Sequence, residues 1–175
     1  INNKKIDDFL VWSIIGVILG GRIGYILFYQ TDAFLKDPIS ILYIWQGGMS
    51  FHGGLIGIII AIFYYSKINS INFFQLSDLV SSVAPIGLFF GRIANFINVE
   101  LYGRITDFPF AMIYPSVDNF PRHPSQLYEA FFEGIILFFL LNYFNLKKSN
   151  QKNYGIITSL FLMLYGLFRI LIEFT

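Results

Sequence analysis

FLVWSIIGVILGGRIGYILFY, Phe9 to Tyr29, is the stretch that decides the fold. It is 21 residues long and holds one formal charge, Arg22. A helix of that length covers about 32 Å at 1.5 Å per residue. A bilayer's hydrocarbon core is about 30 Å thick. In lipid every backbone N–H and C=O must be bonded within its own segment, so a crossing of this kind is an α-helix.

The rest of the chain agrees. Of 175 residues, 55% are hydrophobic and 13% are charged, about half the ~25% charge of a soluble domain. Mean hydropathy is +0.62. Further apolar segments run over Gly47–Tyr65, Leu79–Asn98, Leu127–Phe144 and Tyr154–Phe174. The sequence therefore predicts an all-α fold, a polytopic transmembrane helical bundle of about five spans. It forms one domain, residues 1–175, with a small outward-facing loop region at Val99–Gln126. The chain starts on Ile1 and ends on the still apolar RILIEFT, and so reads as truncated at both ends.

Several functions are excluded by composition. A net charge of +1 leaves no basic excess for nucleic acid. The chain has no cysteine, so it has no disulfide scaffold, no cysteine nucleophile of its own and no thiolate metal site. Neither a His-x-x-x-His pair nor a Gly-x-Ser-x-Gly elbow occurs. No small-residue cleavage site follows a short apolar core, so no segment reads as a signal peptide.

Orientation follows from the cations. Lys4, Lys5, Lys67, Lys147, Lys148 and Lys152 fall on one side of the alternating spans; Lys36, Arg104 and Arg122 fall on the other. The positive-inside rule makes the first side cytoplasmic. The loop Val99–Gln126 then faces outward, as does the start of the segment that carries His52.

Three arginines, Arg22, Arg92 and Arg169, lie inside apolar spans. Each costs about 2.5–3.5 kcal/mol at mid-bilayer on the insertion scale, so such residues face a bundle interior or wet cavity and have partners. Arg22 fits a structural role as well as a functional one. In YGLFRILIEF, Tyr165, Arg169 and Glu173 are spaced four apart and share a helix face. The competing reading is an ion pair that only fixes packing.

The densest stretch is GRIANFINVELYGRITD. Arg92 and Asn95 share a face, and Glu100 and Gly103 follow where the helix runs out. Arginine's planar fork suits phosphate or carboxylate, and Glu100 is placed to hold a guanidinium; the bland alternative is an interhelical polar clasp. Upstream, GGMSFHGGLIG sets His52 among glycines at the mouth of a span. Histidine can move protons near neutral pH, or be merely hydrogen-bonded. Gly53 and Gly57 form a small-xxx-small pair for helix packing. In PRHPSQLYEAFFEG, Ser125 marks a helix start, and Glu129 and Glu133 are four apart. Solvation of that helix mouth and pairing with Arg122 weigh evenly against a functional reading. Asp78 reads as the cap of the third span, and Pro85 with Gly87 as its kink.

Guanidiniums, an outward histidine and carboxylates within a membrane point to an anionic lipid or solute. Metal-free group transfer fits them. A transporter would show internal repeats, which are absent. An inactive lipid-binding scaffold would not depend on His52.

The stretches GGRIGYILFY, GGMSFHGGLIG, FFGRIANFINVELYGRITDFPFAMIYP, PRHPSQLYEAFFEG and YGLFRILIEF closely resemble the prolipoprotein diacylglyceryl transferase family of bacteria. The likeness runs along essentially the whole chain, and GRIxNFIN-E-xGR is the family signature. Val99, where many members have glycine, and Tyr102, where tryptophan is expected, are mild departures. The resemblance implies transfer of the diacylglyceryl group of phosphatidylglycerol to the lipobox cysteine thiol of a prolipoprotein. A thioether forms and glycerol phosphate leaves, in the first step of lipoprotein maturation. No cofactor or metal is implied.

The partners implied are phosphatidylglycerol, the prolipoprotein lipobox region and the bilayer. The enzyme would be multi-pass in the bacterial cytoplasmic (inner) membrane, its site toward the outer face. His52, Arg92 and Arg169 would be catalytic: Arg92 and Arg169 on the phosphate, His52 taking or orienting the thiol proton. Asn95, Glu100 and Gly103 would shape the headgroup pocket, while Tyr165 and Glu173 position Arg169. The family has seven spans, of which the first and last would be missing here, together with a functional tyrosine on the first. The outer loop is short for the family.

Overall fold

The computed structural model describes residues 2–31, 34, 37–43, 45, 47–147 and 153–175. Lys36, Lys148 and Lys152, used for orientation above, lie outside the described residues. The chain divides into two compact units, Ile1–Leu76 and Ser77–Thr175.

In the first unit, α1 spans Asn3–Tyr29 and α2 spans Phe51–Asn69, with a 3₁₀ turn at Pro38–Leu42 before α2. Glycines bring the two helices together. A Cβ on Gly16 would lie 2.7 Å from the Gly57 carbonyl oxygen, and one on Gly24 would lie 2.8 Å from Gly53 Cα. Gly20 also meets Gly53 and Gly57, so backbone touches backbone along three turns. In lipid this close packing replaces the hydrophobic drive that water would supply.

At one end of the pair, Tyr65 Oη donates to the Lys5 carbonyl at 2.7 Å, and Lys5 Nζ donates to the Asn69 carbonyl at 3.3 Å. That puts Lys5 and the lysine-bearing end of α2 together. At the other end, Ser50 caps α2 by accepting from the Gly53 N–H at 3.2 Å. The helix starts at Phe51 rather than Gly47 because Gly47 and Gly48 take φ of +78° and +80°, left-handed values that a right-handed helix cannot hold.

Arg22 is 4% exposed. Its guanidinium donates to the carbonyls of Ile41 at 3.1 Å, Gly47 at 2.6 Å and Gly48 at 3.2 Å. It is the clasp of the segment that leads into α2. Arg22→Leu would orphan these carbonyls at about 1–3 kcal/mol each. The expected result is a markedly lower melting temperature in detergent and faster proteolysis before Ser50. An unchanged melting curve would refute this role.

The second unit holds most of α3 (Phe73–Ile97), then α4 and α5 (Ile156–Ile172). α4 is continuous but changes pitch: Ser125–Glu129 is α-helical, Ala130–Ile136 is π-helical and Leu137–Lys147 is α-helical again. It begins at Ser125, as the sequence indicates. Leu137, Leu141 and Ile157 form a buried core against Leu160, Phe161 and Leu164. Pro85 lies within α3, which runs through it.

Asp78 does not cap α3, which begins earlier, at Phe73. Its carboxylate instead accepts from the Gly155 N–H at 2.8 Å and the Thr158 N–H at 2.9 Å. It thus satisfies the free N–H groups at the start of α5 and opposes the positive end of that helix.

Among the described residues, four helices are long and apolar enough to cross a membrane: Asn3–Tyr29, Phe51–Asn69, Phe73–Ile97 and Ser125–Leu146. The fifth expected span is a 17-residue helix, Ile156–Ile172, about 26 Å long at 1.5 Å per residue. It is shorter than its apolar segment because Gly155, at φ +92°, stops it on one side and a turn closes it after Ile172.

The loop between α3 and α4 contains a small antiparallel pairing the sequence reading does not include. β1 (Met112–Ile113) pairs with β2 (Pro121–Arg122), with Met112 opposite Arg122 and Ile113 opposite Pro121. Gln126 ties the loop down: its Oε1 accepts from Tyr114 Oη at 3.2 Å and its Nε2 donates to the Glu100 carbonyl at 2.6 Å.

Candidate active site

α3, α4 and α5 each bring charge to one place in the second unit. Arg92 comes from α3, Glu129 and Glu133 from α4, and Arg169 from α5. Glu129 meets both arginines: its Oε2 lies 3.0 Å from Arg92 Nε, and its Oε1 is paired with Arg169 Nη1. Glu133, one turn on, accepts from Arg92 Nη2 at 3.4 Å. Arg169 Nη2 also reaches the Glu173 carboxylate at 3.4 Å. The Tyr165 phenol faces Arg92 and Glu133.

Depth within the cluster is graded. The side chains of Glu133 and Glu129 are 0% and 5% exposed, that of Arg92 is 16% exposed and that of Arg169 is 41% exposed. Glu129 and Glu133 form the floor, and the guanidiniums with Glu173 the open side. The Arg92 Nε–Glu129 Oε2 pair does not have hydrogen-bond geometry, and Glu133 Oε1 has no hydrogen-bond partner among the described residues. Buried polar atoms rarely go unsatisfied. The π-helical turn sits at this same place on α4, where such distortions are common at functional sites.

Of the residues expected from sequence, Arg92, Arg169, Tyr165 and Glu173 come together here. Asn95 lies one turn beyond Arg92, half-buried, and its carbonyl accepts from the Glu100 N–H at 2.8 Å. Glu100 is exposed. Its expected work of holding a guanidinium is done by Glu129 and Glu133, because the chain turns sharply between Asn98 and Leu101. Val99 and Leu101 take φ of +58° and +54° there.

Gly103 packs against the PRHPSQ stretch. Its N–H donates to the His123 carbonyl at 2.9 Å, and a Cβ would lie 2.7 Å from that oxygen. His123 Nδ1 lies 3.4 Å from Tyr128 Oη. Arg104 Nη2 donates to the Glu173 carbonyl at 3.2 Å, which ties the loop to the end of α5. His52 belongs to the first unit. It sits exposed in the first turn of α2, edge-on to Phe51.

Sequence reasoning missed Glu129 and Glu133 as members of the cluster. It weighed solvation at the helix mouth and pairing with Arg122 evenly against a functional role, but Arg122 pairs with Asp118 at 2.6 Å. The available signal was their four-residue spacing on an apolar helix, the same signal that singled out Arg169 and Glu173.

Two loop features give predictions. A β-branched residue at positive φ is strained. Val99→Gly should relieve about 1–2 kcal/mol of left-handed strain, less the ~0.4–1 kcal/mol that glycine costs through the unfolded chain. A melting temperature raised by a few degrees is expected, and a lowered one would contradict the assignment. The Asp118 carboxyl is held below the ordinary carboxylate range by its hydrogen bonds to Arg122. A carboxyl depressed in the folded state adds stability above its unfolded value, and that stability is lost as pH falls through the folded one. Loop protection from proteolysis should therefore decline below about pH 4, and Asp118→Asn should lack that decline.

Compared with known proteins, residues 1–175 match the family model described as prolipoprotein diacylglyceryl transferase. A protein of Rickettsia akari (strain Hartford), named phosphatidylglycerol–prolipoprotein diacylglyceryl transferase, is 53% identical over 173 residues, covering 99% of this chain and 67% of that protein. Relatives of the same name in Rickettsia bellii (strain OSU 85-389) and Rickettsia rickettsii (strain Sheila Smith) are 53% and 52% identical over 173 residues. They are matched over 66% and 67% of their lengths, and each match again covers 99% of this chain.

Proposed function

The chain belongs to the prolipoprotein diacylglyceryl transferase family, and we propose that it performs the transfer for which the family is named. The diacylglyceryl group of phosphatidylglycerol passes to the cysteine thiol of a prolipoprotein lipobox. A sulfur–carbon bond forms and the carbon–oxygen bond to phosphate breaks. Glycerol phosphate leaves and the thiol gives up its proton. The observation that supports this most is the pair of guanidiniums, Arg92 and Arg169, gathered by one buried carboxylate within apolar helices.

A phosphodiester has low affinity for hydrocarbon, and its leaving group gains negative charge as the carbon–oxygen bond breaks. Guanidiniums already held in place stabilise that charge without reorganising. Their planar forks match phosphate oxygens. Glu173, at the end of α5, supports Arg169, while Tyr165, expected to position Arg169, faces Arg92 instead. Asn95, Glu100 and Gly103 lie on the chain that leaves Arg92, where they would border the headgroup. His52 is the proposed carrier of the thiol proton, since imidazole exchanges protons near neutral pH. The proposed location is the bacterial inner membrane, with the site toward the outer face. Lys4, Lys5 and Lys67 at one end of the α1–α2 pair support that orientation.

The test uses the full-length protein, phosphatidylglycerol with a labelled glycerol headgroup, and a lipobox peptide. Transfer predicts one labelled glycerol phosphate released per peptide lipidated. A lipid-binding scaffold would release none. His52→Gln should lower the transfer rate by about 10²-fold or more with lipid binding unchanged; an unaltered rate would return His52 to structure.

A further inference from the structure

Resting on the headgroup reading of Arg92 and Arg169, we propose that Glu129 is the positioning residue that makes them converge on a single phosphate. The two arginines stand 77 positions apart in sequence, on α3 and α5. The described residue that pairs with both is Glu129, between them on α4. An arginine side chain has several rotatable bonds, and two like charges repel. Two guanidiniums therefore share a site only where a counter-charge holds them.

Burial shows which edges the carboxylate holds. Glu129 is almost fully buried, whereas Arg92 and Arg169 keep part of their surface exposed. A guanidinium has five N–H donors. Glu129 and Glu133 use the Nε and Nη2 of Arg92, and Glu129 and Glu173 use the Nη1 and Nη2 of Arg169. These pairings engage only some of the five N–H donors of each guanidinium, and the Tyr165 phenol also faces Arg92. A phosphate can be met from the exposed side of the two guanidiniums while Glu129 stays in place beneath them. Glu129 thus supports the anion site and does not compete for it.

The π-helical turn begins at the residue after Glu129 and contains Glu133. Both carboxylates, four residues apart, face Arg92. Glu133 steadies that arginine alone, while Glu129 sets the distance between the two.

The experiment measures binding of dihexanoyl phosphatidylglycerol to the full-length protein in detergent, together with transfer kinetics. Glu129→Gln keeps the side chain's size but removes its charge. Glu129→Asp keeps the charge, but one methylene shorter it cannot span both arginines, and it remains informative should the glutamine variant fail to fold. Each is expected to weaken lipid binding about 10–100-fold, as small misplacements of binding groups do. The KM for the peptide should stay at the wild-type value. In an Arg92→Gln background, adding Glu129→Gln should cost less than it does in the wild type, because only its pairing with Arg169 is then left to lose.

Wild-type lipid affinity in both Glu129 variants would overturn the inference. So would losses that multiply in the double variant. If Arg92→Gln alone leaves lipid binding intact, the headgroup reading itself fails, and this inference fails with it.

Discussion

Arg92→Ala is expected to cut diacylglyceryl transfer by about 10²–10³-fold or more, the range seen when a preorganised donor to developing charge is removed. Three effects add. On the proposed headgroup reading, the phosphate loses one of two guanidiniums. Glu133 loses its hydrogen bond, and Glu129 loses one of its two pairings. The remaining carboxylates would then repel the anion that the site must attract. The fold should survive in detergent, because the second unit's core of Leu137, Leu141 and Ile157 does not involve Arg92. A folded Arg92→Ala protein with wild-type rates would show that the headgroup is bound elsewhere.

The second large effect is expected at Gly57. A Cβ there would meet the backbone of Gly16 and Gly20. Gly57→Leu must therefore push α1 and α2 apart along the whole stripe. In lipid, helix association rests on this close packing. Overpacking alone typically costs about 1–3 kcal/mol, and the lost backbone approach adds to it. The variant should melt far below wild type or fail to fold. Gly57→Ala should be milder but in the same direction. A Gly57→Leu protein with a wild-type melting curve would mean the helices do not meet at the glycines.

The same stripe shows what could be read in the sequence. Gly53 and Gly57 stand out as a small-residue pair, but their partners Gly16, Gly20 and Gly24 are equally visible, four apart in α1. One glycine pattern says that a helix can be approached closely; it does not say by which helix. The span Phe9–Tyr29 could be read because its length and apolarity are local properties. Its expected end at Tyr29 coincides with the end of α1. The boundaries at Gly47 and Leu79 were displaced by effects that hydropathy does not carry: the positive φ of two glycines, and helix formation by the polar-flanked FFQLSD.

The site was half legible. An arginine inside an apolar run is conspicuous because its charge has no local explanation, so Arg92 and Arg169 were found. Glu129 was not, because it lies within the first turns of its helix, where a carboxylate is normally solvated. Only the arrangement of three helices places it under two arginines. Asp78 shows the same limit: its identity marks a cap, but the N–H groups it satisfies lie 77 residues away or more. Pairing between distant segments is a tertiary property, and a single sequence does not reveal it.

Mass spectrometry of a lipobox-cysteine peptide tests the central claim most directly. The peptide is incubated with phosphatidylglycerol and either the wild-type full-length protein or the Arg92→Ala, Arg169→Ala double variant. A diacylglyceryl mass gain on the cysteine with the wild type alone is the result predicted here. An equal gain with the double variant, or no gain with the folded wild type, would contradict the account.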